Sequence, residues 1–160
     1  MQASALFLKI VNHPLKNKIF LLQKLPSAFF CGVRIRSATS DMAVVTVPFT
    51  WFTTNPFRST YFACLAMAAE MSTGILAMAH IYQKDPAISM LVVGLESTYH
   101  KKAIGLTTFT CADGNLFAEA IQLATTSGVP QSVTATSIGK NAENEKIATF
   151  KVTWSFRVRS

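Results

Sequence analysis

One carboxylate, Glu70, stands in a run otherwise free of Lys, Arg, Asp and Glu: STYFACLAMAAEMSTGILAMAHI, from Ser59 to Ile81. The nearest acids along the chain are Asp41 and Asp85. A carboxylate in an apolar, partly desolvated site holds its proton more tightly and makes a better base. Three readings compete for it. As part of a membrane span the length nearly suffices, but a central carboxylate costs roughly 2.5 kcal/mol or more. Ser72, Thr73 and His80 add to that cost, which argues against a span. Paired with Arg34, Arg36 or Arg58, Glu70 is structural, because an unpaired buried charge is expensive. Facing a cleft, it is a catalytic base. Residue spacing leaves the last two open.

No other chemistry-bearing residues form a comparable pattern. Cys64 lies six residues before Glu70, off its helix face, and reads as a buried thiol. His13, His80 and His100 are scattered without metal-ligand spacing. Ser59, Ser72 and Ser97 lack a nucleophile elbow. Asp113-Gly114-Asn115 is too short for a calcium loop and reads as a turn with a cap. No metal or cofactor is expected.

The elements that must position Glu70 are legible from periodicity. Tyr61 to about Tyr82 is rich in Ala and Met, which predicts a long helix, with Ser59 or Thr60 as its N-cap after Asn55-Pro56. Ala63, Ala66, Met67, Thr73, Gly74 and Ala77 surround Glu70 on that helix, so its face is mostly small. A helix apolar nearly all round is expected to be wrapped by the rest of the protein. FFCGVRIRSAT and AVVTVPF predict a hairpin turning at Ser40-Asp41. ISMLVVGLESTY and AIGLTTFTC predict two strands joined around His100-Lys101-Lys102. DGNLFAEAIQLATTSG predicts a helix capped by Asp113, with Leu116, Ala120, Leu123 and Ala124 on one face. SVTATSIGK and KIATFKVTWSFRV flank the turn NAENE, and in the second Ala148, Phe150, Val152, Trp154, Phe156 and Val158 alternate with polar residues. About six antiparallel strands, one long central helix and peripheral helices make an α+β domain spanning 1–160.

The 160 residues are 50% hydrophobic and 14% charged, which provides ample core and excludes a disordered chain. Fifteen basic residues against eight acidic give a net charge of +7, and Lys9, Lys16, Lys18, Lys24, Arg34 and Arg36 all precede the first acid. Such a surplus attracts nucleic acid, acidic lipid or a phosphorylated ligand. No basic cluster interleaved with aromatics marks nucleic acid, so none is expected as a partner. Cys31, Cys64 and Cys111 read as reduced, buried thiols of a cytoplasmic protein. The first 26 residues lack acids, as transit peptides do, but they also lack arginine. Leu6, Ile10, Leu15, Ile19, Leu22 and Leu25 recur at helical spacing around Pro14, which predicts helices docked on the domain. A basic helix lying on anionic lipid is a further reading of this segment.

The order of elements, and the segment NPFRSTYFACLAMAAEMSTG, resemble hotdog-fold acyl-CoA thioesterases of the PaaI-like group, nearest to a branch of unknown function. KIATFKVTWSFRVR resembles that branch's last strand. The resemblance implies a sheet wrapped around the central helix and a homodimer, or a tetramer, with the active site between protomers. It implies that Asn55 matches a loop asparagine and Glu70 a catalytic general base or nucleophile. It implies that amides from Tyr61, Phe62, Ala63 and Cys64 polarise a thioester carbonyl, as unpaired donors at a helix N-terminus would. Trp51, Phe57, Tyr61 and Phe62 would line an acyl tunnel, and Arg58, Lys101 and Lys102 would meet the phosphates of CoA. This chain departs from the group's pattern in carrying Pro56 after the asparagine and no His-Gly-Gly at the start of the helix. The expected function is therefore acyl-CoA hydrolysis, with non-catalytic binding of acyl-CoA or a fatty acyl chain as the alternative.

Overall fold

The computed structural model describes residues 2–159, so Met1 and Ser160 lie outside the described residues. The chain opens with helices α1 (Gln2–Asn12), α2 (Pro14–Lys24) and α3 (Pro26–Phe30). Pro14 and Pro26 begin α2 and α3, where a missing amide hydrogen costs no helical bond. Strands β1 (Arg34–Ala38) and β2 (Ala43–Val47) come next, then the long helix α4 (Phe62–Ile81). The rest is β3 (Ile88–Tyr99), β4 (Thr107–Cys111), α5 (Gly114–Ser127), β5 (Gln131–Lys140) and β6 (Lys146–Val158). All strand pairs are antiparallel, in one six-stranded sheet of order β1-β2-β4-β5-β6-β3.

The sheet curls around α4, which packs on β1, β2, β4, β5 and β6 and also on α1, α3 and α5. At 20 residues and a mean hydropathy of 1.6, α4 is long and apolar enough to cross a bilayer, but its place is the core of the fold. Ala68, Ala69, Leu76 and Ala77 are fully covered, and the small alanines admit the strands to close range. Two hydroxyls on α4 are buried with partners. Ser72 donates to the Ala69 carbonyl at 2.7 Å and meets the Ser137 hydroxyl at 2.8 Å. Thr73 donates to the Glu70 carbonyl at 2.8 Å and accepts the Trp154 indole N–H at 2.9 Å. Beneath α4 the alternating face of β6 supplies Phe150, Val152, Trp154 and Phe156, as its period of two predicts.

Several sequence expectations shift. β3 and β4 are consecutive but not neighbours: β3 runs along the whole of β6 at the sheet edge, while β4 sits between β2 and β5. A 12-residue strand finds a full-length partner only in the 13-residue β6. On α5 the docked face is Phe117, Ile121 and Ala124, leaving Leu116 and Leu123 exposed. The larger Phe117 takes the interior, edge-on to Phe156 with centroids 6.0 Å apart. Asp113 precedes α5 without capping it, and its carboxylate accepts the Thr136 amide at 2.6 Å instead. At the other end of the chain Phe7, Val11, Asn17 and Leu21 dock, not Leu6, Leu15, Ile19, Leu22 and Leu25, which face outward. Pro14 separates α1 from α2, so no single phase runs through both. Asn17 then fixes the rotation of α2 by donating to the Val11 and Ile35 carbonyls at 2.9 and 3.0 Å.

Gly114 starts α5 against the turn between β1 and β2, where a Cβ would lie 2.1 Å from the Ser40 carbonyl oxygen. The obstacle is backbone and cannot rotate away. Gly114→Ala is expected to destabilise the fold by about 1–3 kcal/mol. The measurement is a lower urea midpoint with an unchanged slope.

Candidate active site

Glu70 lies midway along α4 and opens onto a groove of about 380 Å³. Helices α1 and α2 form one wall with Phe7, Phe20 and Lys24, continued by Leu25. Met71, Gly74, Ile75 and Met78 of α4 form the floor, and Met90 of β3 and Trp154 of β6 close the far side. A smaller space of about 270 Å³ continues past Glu70 toward Pro26, Ser27 and Ala28. Gly74 leaves room beside the carboxylate: a Cβ there would meet the Trp154 ring at 3.3 Å and the Glu70 Oε1 at 3.5 Å.

Among the described residues the Glu70 carboxylate has no ion pair and accepts no hydrogen bond. The arginines weighed as its partners are engaged elsewhere or exposed. Arg34 donates to the Phe29 and Val33 carbonyls and lies over the Phe29 ring. Arg36 donates to the Thr46 hydroxyl at 2.9 Å, and Arg58 is exposed on its loop. Lys24 shares the groove without pairing. Burial alone therefore pushes the Glu70 carboxyl above the usual carboxylate range.

The loop before α4 is built around Asn55. Its Oδ1 accepts the Phe57 and Ser59 amides at 2.9 and 3.2 Å, and its Nδ2 donates to the Ser59 hydroxyl at 3.1 Å. Thr60 donates its amide and hydroxyl to the Ala103 carbonyl at 2.8 and 3.1 Å. With both hydroxyls committed, neither Ser59 nor Thr60 caps α4, and Tyr61 takes the N-cap position without a side-chain bond. The Tyr61 amide donates to the Thr53 carbonyl and the Cys64 amide to the Tyr61 carbonyl. The amides of Phe62 and Ala63 are left without an acceptor among the described residues. Asn55, Tyr61 and Phe62 line a second groove, of about 590 Å³, with Tyr99, Lys101 and Lys102 on its far side.

The residues singled out from the sequence thus fall in two separate places. Asn55, Tyr61 and Phe62 stand together, and Glu70 stands apart from them. Ala63 and Arg58 border neither groove, and Arg58 adopts a left-handed φ of 58°. Cys64 turns inward, its sulfur 3.8 Å from that of Cys31, and burial foremost, then the neighbouring thiol, pushes it up to about 12. Lys101 pairs with Glu145, and Lys102 donates to the Phe57 carbonyl at 3.3 Å. Lys24 and Trp154 are additions that sequence did not mark as site residues. Lys24 reads only as part of the basic surplus of the first helices, and Trp154 reads simply as core.

No protein-family model matches the sequence, and no curated protein matches it either. Solved structures do match. PA5026 of Pseudomonas aeruginosa, a protein of unknown function described as a probable thioesterase, superposes with a TM-score of 0.78 at 16% identity, over 91% of this chain and 97% of that one. The fold is the hotdog fold. The Escherichia coli PaaI protein of the phenylacetic acid degradation operon gives 0.64 at 14% identity, over 94% and 97%. Thioesterase HI1161 of Haemophilus influenzae gives 0.64 at 14%, over 88% of each chain.

The raised proton affinity of Glu70 has a consequence for stability. The native state favours its protonated form more than the unfolded chain does. The resulting stabilisation is complete below the ordinary glutamate range and is lost as pH rises through the raised value. Glu70→Gln removes that loss. Its melting temperature is expected to match wild type in acid and exceed it at pH 8, on the order of 2–4 °C per kcal/mol recovered. Paired melts at the two pH values check this.

Proposed function

We propose that this protein hydrolyses acyl-CoA-type thioesters with Glu70 as its catalytic carboxylate. One observation carries the reading: an unpartnered, partly desolvated carboxylate borders an apolar groove of about 380 Å³, a volume within the range of small-molecule sites. A water deprotonated by Glu70 attacks the thioester carbonyl, the C–S bond breaks, and the products are a carboxylate and the CoA thiol. Direct attack by the carboxylate, followed by hydrolysis of the anhydride, gives the same products. The oxyanion is held by the free amides of Phe62 and Ala63 at the positive end of α4.

Those amides belong to a second protomer. Seven or eight residues of helix separate them from Glu70 in one chain, about 10–12 Å, too far to serve one carbonyl. β3 provides the means of pairing. It is a 12-residue edge strand with Leu91, Val93 and Leu95 at 66%, 55% and 52% exposure. A long apolar edge of that kind is a template for another strand. In the proposed homodimer Asn55 organises the loop that presents the amides, and Lys102 and Lys101, the latter paired with Glu145, line the second groove as the candidates to meet phosphate. Tyr61 and Phe62 line that groove, and exposed Arg58 adds positive charge around it. The reduced Cys31 and Cys64, with sulfurs 3.8 Å apart, support a cytoplasmic setting.

Purified protein is expected to cleave acyl-CoAs of a chain-length panel, with Glu70→Gln lowering kcat by about 10²–10⁴-fold. The rate should rise with pH through the raised Glu70 value, since only the ionised carboxylate acts as base. Full activity in the variant sinks the mechanism. Tight acyl-CoA binding without turnover in wild type assigns the groove to a non-catalytic binder. Light scattering of Leu95→Lys tests the edge: a shift from dimer to monomer with loss of hydrolysis is expected, and a monomeric wild type removes the two-protomer site.

A further inference from the structure

Helix α2 is docked with its more apolar side outward. At 3.6 residues per turn, Leu15, Ile19 and Leu22 fall within an arc of about 60°. They are 64%, 50% and 45% exposed. The opposite side, which packs on the protein, carries the buried Asn17 and Leu21. Lys16 and Lys18 flank the outward stripe on its two sides and are themselves exposed. Leu25 extends the apolar surface beyond the end of the helix and is also a wall of the Glu70 groove. No Asp or Glu occurs before Asp41, so the segment presents positive charge alone around its apolar strip.

We propose that this face of α2 is a docking surface for an anionic lipid bilayer. An apolar stripe bordered by lysines on a helix lying flat is the arrangement that sinks into the boundary between acyl chains and head groups. Leu15, Ile19 and Leu22 enter the boundary, and Lys16 and Lys18 reach phosphate groups on either side. A second copy of the chain fits poorly. A two-fold contact through this face would bring its lysines into the same small interface as their own copies. Three branched side chains also bury far less than the roughly 800 Å² per partner of a stable interface. Docked this way, the chain holds the Leu25 side of its groove next to the bilayer surface. The proposal stands on the exposure and charge of α2 and does not depend on the hydrolytic role of Glu70.

The test is co-sedimentation of the full-length protein with phosphatidylcholine vesicles, with and without phosphatidylglycerol. The protein is expected to pellet with the anionic vesicles and to be released by salt. Combining Leu15→Ser, Ile19→Ser and Leu22→Ser is expected to lower partitioning at least about tenfold. Combining Lys16→Gln with Lys18→Gln should lower it about fivefold per lysine on anionic vesicles only. All five positions are solvent-facing, so circular dichroism and the melting temperature should stay those of wild type, as should hydrolysis of soluble acyl-CoA. Wild type that stays in the supernatant overturns the proposal, as do variants that pellet like wild type. A serine variant whose native mass falls, with no vesicle binding by wild type, assigns the face to a second copy and overturns it too.

Discussion

An α-helix with no polar side cannot rest on a surface; it has to be enclosed. That requirement on α4 organises the molecule. Its alanines bring the strands of one curved sheet close to it, and α1, α3 and α5 cover further parts of its surface. Polar groups are admitted only with partners, as Ser72 with Ser137 and Thr73 with Trp154. Hydrophobic enclosure and backbone pairing therefore act together: the strands that satisfy one another's amides also keep water from the helix.

Glu70 is the exception to this rule. It follows the covered Ala68 and Ala69 on the same helix and receives neither cation nor hydrogen bond among the described residues. Leaving a carboxylate so placed costs stability once it ionises, as its raised proton affinity reflects. Gly74, with no side chain, lets the Trp154 indole stand alongside, and the Thr73 hydroxyl accepts that indole's N–H. Lys24 lines the same groove without pairing with Glu70.

Much of this was legible in the sequence, for identifiable reasons. α4 and β6 declared themselves through composition and a period of two, signals that depend only on local neighbours. Glu70 stood out because its neighbours carry no charge. What sequence hid were relations between distant segments. Nothing in ISMLVVGLESTY says that it pairs with β6 rather than with the strand that follows it. Phase was misread on α2 and α5 for a common cause: both carry apolar residues on more than one face. Phe117 beside Leu116, and Leu21 beside Leu22, leave the choice of buried face to tertiary contacts. The start of α4 was misplaced by a residue or two because Ser59 and Thr60, good caps in isolation, are consumed by Asn55 and Ala103.

The groove beside Glu70 has walls of unequal standing. Its floor and far side belong to the enclosed helix and the sheet, where any change in volume disturbs the core. Its outer wall comes from helices that contribute no strand to the sheet. Phe20, only partly covered on that wall, can change size without altering register or strand order. The dimensions of the cavity can thus be changed by substitutions in the first 25 positions while strand order and register are held constant.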